Sequence, residues 1–412
     1  MFQPLEDRGH AVQDDTRRRL ATWLLPLLTL LFHVATINGY GYFRDELYYL
    51  ANGQHLAFGY VEHPPFIGLV AAFVRTTLGT SLVAIRLLPA LAAAVTVWFA
   101  MAIAREMGGG RLALTLAGVA TMLLPAYVSI FSILTMNAFE ILFWAAAFYL
   151  VVRALRTGRS GYWLAFGLVA GIGLENKITV LFFGFGLFAG MILARRWDVL
   201  RNRWFWAAGV IACVIFLPYL LWQAANAWPL LEFMENARER KNVSLPLLGF
   251  VKEQVLLANF LGLPVWAAGL GFLLLAPTAR AFRPLGWIYP VILAAMMAAG
   301  DAKPYYMAPV YTLLVAAGAV AVERWPWPGR RLVGGGVLAL VVAGGVISAP
   351  MAKPLLREDT FVRYASAIGV AGSSGERHET GRLPQFFSDM HGWPELAATV
   401  ARVFHALPDE DR

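Results

Sequence analysis

Asp45 and Glu46 stand side by side in a tyrosine-rich polar stretch, GYFRDELYYLANGQHLAFGYVEHPPFIG, which follows the first long apolar run. The same stretch ends on Glu62-His63-Pro64-Pro65, so one segment carries several carboxylates and an imidazole. A carboxylate placed at a reacting hydroxyl can take its proton, a role worth roughly 10²- to 10⁴-fold in rate. Asp45 is a candidate for catalysis, with Glu46 beside it and His63 as a functional candidate in the same loop. Plainer readings exist. Asp45 also suits a helix N-cap, His63 a solvated loop position, and Pro65 an ordinary helix start.

Further polar residues interrupt apolar runs. Asn137 and Glu140 in MNAFEILFW share one helix face. An ionisable group there is a functional-site hypothesis by default, with a snorkelling or arginine-paired glutamate as the alternative. Lys177, in Glu175-Asn176-Lys177, breaks an otherwise continuous apolar stretch; it marks a tight hairpin or meets a phosphate. Lys303, Arg44 and the cluster Arg238, Arg240 and Lys241 are the other candidate cations. Tyr42, Tyr48, Tyr305 and Tyr306 suit sugar stacking or anchoring at a membrane interface.

The elements that must position these residues are apolar helices. Of 412 residues, 59% are hydrophobic and 15% charged, against about 25% charged in soluble domains. The apolar residues gather in blocks of roughly 17 to 23, the length that crosses a bilayer as helix. The fold class is therefore an all-α multi-pass membrane protein with about eleven spans. They are placed near 20–37, 82–104, 112–128, 134–152, 162–175, 178–194, 204–222, 254–276, 285–299, 305–322 and 332–350. Residues 65–80 are expected to lie along the interface or dip into it. Residues 17–37 read as an uncleaved first helix, because no convincing small-residue cleavage site follows.

Arginine and lysine crowd the segments 105–111, 153–159, 195–203, 280–283 and 324–331. The positive-inside rule then sets the N-terminus inside and both the C-terminus and the chemistry outside. Loops 38–64 and 223–253 and the turn GDAKPYY at 300–306 face outward. Placed as topology signals, the cations behind the net charge of +8 call for membrane lipids rather than nucleic acid. Cys213, the single cysteine, allows no intramolecular disulfide. The pairs Gly167/Gly171 and Gly186/Gly190 read as helix-packing sites, and no phosphate-cradling glycine loop follows a strand. Residues 1–350 form the expected transmembrane catalytic domain. Residues 351–412 form a polar outer segment, read as the start of a soluble domain, either cut short here or docked on the membrane part, or alternatively as a disordered tail. An amphipathic helix is predicted there, from Pro394 and the apolar series Leu396, Val400, Val403, Phe404 and Leu407.

Taken together, the Asp-Glu pair followed by His-Pro-Pro, with MNAFEILFW, GLENK, AWPLLEFMENARERKNV and DAKPYYMAPVY, resembles glycosyltransferase family 39. That is the family of the protein O-mannosyltransferases. The likeness is to its bacterial branch, akin to the lipid A aminoarabinose and rhizobial galacturonic acid transferases, and runs from about residue 20 to 350 and weakly into 383–407. It implies a type-C glycosyltransferase (GT-C) fold, a polyprenyl-phosphate sugar donor, inversion at the anomeric carbon and Asp45 as base. Asn137, Glu140, Lys177, Lys303 and Tyr305 join Glu46 and His63 as expected substrate-binding residues. One departure is that Phe66-Ile67-Gly68, with no lysine, follows His-Pro-Pro, leaving open which cation meets the donor phosphate.

Such a donor fits the placement, since nucleotide sugars are cytoplasmic and an outward-facing enzyme needs one that crosses as a lipid. Phosphate leaves readily once its charge is matched, and cations aimed at it supply that term. The implied partners are the lipid-linked sugar and a glycolipid, glycan or protein acceptor in the cell envelope, with the protein in a bacterial inner membrane. A divalent cation is neither required nor excluded by these residue types. The alternative is a transporter or flippase, for which ionisable residues at mid-membrane and broken helices in matched halves are expected.

Overall fold

The structure is a computed structural model describing residues 22–300, 302–326, 329–370, 381–408 and 410, with no side-chain description at 330 and 331. Asp301, the Gly-Ser stretch at 372–375 and the basic residues before 22 lie outside the described residues. The described chain is helical throughout, as the sequence requires.

The helices run α1 (Thr22–Ala35), α2 (Arg44–Asn52), α3 (Phe66–Thr77), α4 (Leu82–Glu106), α5 (Arg111–Met122) and α6 (Pro125–Ile130). Next come α7 (Met136–Thr157), α8 (Ser160–Asn176), α9 (Val180–Leu193), α10 (Arg203–Ala225), α11 (Pro229–Asn236) and α12 (Leu247–Leu257). The last are α13 (Phe260–Leu275), α14 (Pro277–Ala299), α15 (Pro304–Arg324), α16 (Leu332–Ala352), α17 (Glu358–Ala367) and α18 (Trp393–Ala406). Six described helices, α4, α7, α10, α14, α15 and α16, are long and apolar enough to cross a membrane. The protein is thus a multi-pass membrane protein.

Local chemistry sets the boundaries. Ser81 Oγ accepts the Ala84 amide to start α4, and Thr135 Oγ1 accepts the Asn137 amide to start α7. α7 stops at Gly158, whose φ of 69° favours glycine. Six of the eleven expected spans are single long helices among the described residues, and two of the others are broken. The segment 112–128 breaks after Met122, because Pro125 has no amide to continue the ladder and begins α6 instead. The segment 254–276 is not one rod: α12 and α13 meet at 94°. At that bend Asn259 adopts φ 69°, and its side chain bonds Val341 O and the Gly262 amide.

α15 is the most enclosed helix, with 83% of its apolar window buried. Gly318 and Gly269 let it meet α13 backbone to backbone: a Cβ on Gly318 would lie 1.8 Å from Val265 O. Gly167 and Gly171 likewise seat α8 against α10, as the small-residue spacing suggested.

The two ends of the bundle differ. At one end Glu106 pairs with Arg153 (2.6 Å) and Arg156 (2.9 Å), and Arg324 donates to Gly108 O. The other end carries the first loop, the α8–α9 hairpin and the turn before α15. It is the end where the candidate residues collect.

Candidate active site

The first loop is held by a buried ion pair. Phe43 is the N-cap of α2, so Asp45 is not the cap; the Phe43 amide instead donates to Glu46 Oε2 at 2.8 Å. Glu46 Oε1 accepts from Arg86 Nε (2.9 Å) and the Leu134 amide (2.9 Å), and Oε2 from Arg86 Nη2 (2.7 Å). Arg86 also donates to Ile37 O and Gly41 O. Glu46 is 0% exposed. Its oxygens are engaged by protein groups, which corrects its sequence-based assignment to substrate binding. Arg86, itself buried, ties α4 to the loop.

His63 needs the same correction. It is buried between Tyr48, Tyr49 and Tyr60, with ring centroids 4.9–5.6 Å away. Its Nδ1 lies 2.8 Å from Pro64 O and its Nε2 3.0 Å from Asn52 Nδ2. A ring donating to the carbonyl and accepting from the amide satisfies both contacts as neutral imidazole. Burial pushes its pKa down from 6.5 to about 4. The ring pins Pro64 to α2 and does not face a ligand.

What these pins leave open is Asp45. It sits in the first turn of α2, half-exposed, with Oδ1 3.1 Å from Arg44 Nε. Glu62 faces the same space. Burial raises its pKa first and the negative charge of Asp45 second, while Lys241, Arg44 and Lys303 pull it back. Two carboxylates and three cations from separate stretches of chain therefore share one electrostatic field. Glu62 stood in the quoted motif but was not singled out; its place before the pinned histidine was the signal.

Lys177 forms the second polar assembly. Its Nζ donates to Asn137 Oδ1 at 2.6 Å and to Glu140 Oε2 at 2.8 Å. The hydroxyl of Thr179 bonds the other Glu140 oxygen. The face shared by Asn137 and Glu140 thus meets the α8–α9 hairpin, rather than an arginine. Lys177 lies 4.7 Å from the Tyr306 ring centroid and 5.8 Å from that of Tyr305. Tyr305 is also within electrostatic reach of both Asp45 and Glu140, joining the two assemblies. Glu175 Oε1 and Asn176 Oδ1 beside them are buried without a hydrogen-bond partner. Among the described residues, no group of three or more His, Cys, Asp or Glu is placed to hold a metal ion.

The family described as dolichyl-phosphate-mannose-protein mannosyltransferase matches residues 62–222. The fold is similar to that of ArnT from Cupriavidus metallidurans solved with undecaprenyl phosphate. That likeness has a TM-score of 0.65 at 17% identity, over 92% of this chain and 87% of that one. It is also similar to the Archaeoglobus fulgidus oligosaccharyltransferase (TM-score 0.57, 12% identity, 81% of this chain and 54% of that one). The fold is that of GT-C membrane glycosyltransferases. No curated protein sequence matches the chain. The family match opens at Glu62 and takes in Asn137, Glu140 and Lys177. Asp45 and Lys303 lie outside it, and their roles rest on geometry.

Proposed function

We propose that the protein transfers a sugar from a polyprenyl-phosphate donor to a hydroxyl of a cell-envelope lipid, glycan or protein. The observation that carries this reading is the half-exposed Asp45, in the first turn of α2, paired with Arg44 and close to Glu62, which Arg44, Lys241 and Lys303 surround electrostatically. The family match and the likeness to a transferase solved with undecaprenyl phosphate support it.

In this mechanism the acceptor oxygen attacks the anomeric carbon from the side opposite the phosphate. Its proton passes to an Asp45 oxygen as the new C–O bond forms, and the bond to phosphate oxygen breaks with its electron pair. The polyprenyl phosphate leaves, and configuration inverts. Lys177, oriented by Asn137 and Glu140, is the assigned cation for the developing phosphate charge, and Lys303 acts on the Glu62 side of the site. Tyr305 and Tyr306 roof that ammonium and offer ring faces to the sugar. Glu62, with its raised pKa, is suited to bind a sugar hydroxyl.

The site faces outward across a bacterial inner membrane, with the N-terminus inside. Residues 351–412 belong to the same outer face as a polar segment following the membrane-spanning helices. A transporter would place its ionisable residues at mid-membrane, whereas these gather at one end of the bundle.

The test is transfer by purified protein in lipid, supplied with a polyprenyl-phosphate sugar and an envelope extract as acceptor. Asp45→Asn is expected to lose 10²- to 10⁴-fold in turnover, roughly the worth of a general base, with unfolding temperature unchanged. Full turnover in that variant overturns the base assignment.

A further inference from the structure

The C-terminal segment reaches the catalytic loop through contacts that the mechanism above does not use. Arg44, beside Asp45 in sequence, is held from both sides. Its Nε lies 3.1 Å from Asp45 Oδ1, and its Nη1 lies 3.2 Å from Asp389 Oδ2. The two carboxylates thus share one guanidinium. The Arg44 amide, one of the first-turn N–H groups that a helix leaves without an internal partner, donates to Asp389 O at 3.2 Å. That carbonyl also takes the Trp393 indole N–H at 3.0 Å.

Neighbouring contacts clamp the same place. A Cβ on Gly41 would lie 2.5 Å from Met390 O, so loop and segment touch backbone to backbone. The Tyr40 ring meets His391 (4.8 Å) and Phe387 (5.5 Å), and Phe43 meets Phe386 (5.3 Å). Phe387 and Met390 are buried. This stretch is folded onto the membrane domain, against the start of the helix that carries Asp45.

We propose that Asp389 is a positioning residue for glycosyl transfer, holding the Arg44 guanidinium so that Asp45 keeps one orientation toward the acceptor hydroxyl. The proposal rests on Asp45 being the base. A guanidinium anchored by one carboxylate presents its remaining N–H groups in a fixed direction to the other, because its donors form a rigid fork. Without Asp389, Arg44 can swing and take Asp45 with it. Small misplacements of reacting groups are costly to rate.

The experiment uses the full chain in lipid. Asp389→Asn keeps size and backbone contacts but removes the charge, and Asp389→Glu restores it. Asp389→Asn is expected to lower kcat about tenfold, with donor KM changed by less than about twofold and unfolding temperature unchanged. Asp389→Glu is expected to recover most of the rate. In an Arg44→Gln background, Asp389→Asn is expected to add less than about a twofold further loss, because the two act as a unit. Wild-type kcat in Asp389→Asn overturns the proposal. So does the same tenfold loss with and without Arg44, or a loss that follows a fall in unfolding temperature. Asp45→Asn measured alongside tests the base reading separately. If that variant keeps full rate, it removes the base while the Asp389–Arg44 coupling stands as its own number.

Discussion

His63 shows how a residue can look catalytic in sequence and be structural in the fold. Its imidazole is neutral, enclosed by three tyrosines, and satisfied at both nitrogens. Burial lowers its folded pKa from 6.5 to about 4, so the unfolded chain binds a proton more readily. The stability this supplies is complete above about pH 6.5 and is lost as pH falls toward 4, about 3 kcal/mol in all. Unfolding of detergent-solubilised protein between pH 4 and 7 is expected to show this slope. His63→Phe is expected to flatten it while sparing the residues around Asp45. An unchanged slope in that variant removes His63 as its origin. Asn137, Glu140 and Lys177 stand out in sequence because each interrupts an apolar context, and Asp45 because it pairs with Glu46 in the polar stretch after the first apolar run. Which carboxylate of the Asp-Glu pair is buried was not legible, since that depends on Arg86, forty positions away along the chain.

Among the elements, α2 and α4 depend on each other most. Glu46 and Arg86 are both buried and bridged at 2.7 Å. Removing one partner of a buried pair strands the other charge, at a cost of about 3–5 kcal/mol. Arg86→Met is therefore expected to destabilise the protein by about that amount and to lower transfer more than any single change in α3. Thermal unfolding together with protease sensitivity at residues 38–64 measures it. A variant as stable and as active as the parent contradicts the keystone role. Helix identities were readable from hydropathy blocks, and α4, α7 and α10 match those blocks closely. The break between α12 and α13 was not, because its apolar run continues through Asn259 and only the bonds to Val341 and Gly262 give the turn its partners.

At the scale of the molecule, charge separates the two ends. Arginines pair or cap at the Glu106 end, and the candidate site occupies the other. In a Cys213→Ala background, cysteines placed in 38–64 are expected to react with a membrane-impermeant thiol reagent in intact cells. Cysteines in 105–111 and 195–203 are not. The reverse pattern would turn the protein over and remove the need for a lipid-borne donor. The amphipathic helix read from Pro394 onward is present as α18, with Leu396, Val400, Val403 and Phe404 all exposed. Which residues of the preceding stretch pack on the first loop was not legible, because Phe386, Phe387 and Met390 carry no periodic signal of their own.

The Glu46 contacts also have a consequence in time. A ribosome makes Glu46 first, then Arg86 on α4, then Leu134 just before α7. A nascent chain that has emerged only through α3 has a glutamate with neither its cation nor its second amide. The loop then has every reason to stay hydrated and none to adopt its final shape. Met390, which packs on Gly41, comes later still. The centre is therefore assembled retroactively, each later segment fixing an earlier one. The protein passes through most of its own synthesis and insertion with Asp45 not yet held in place.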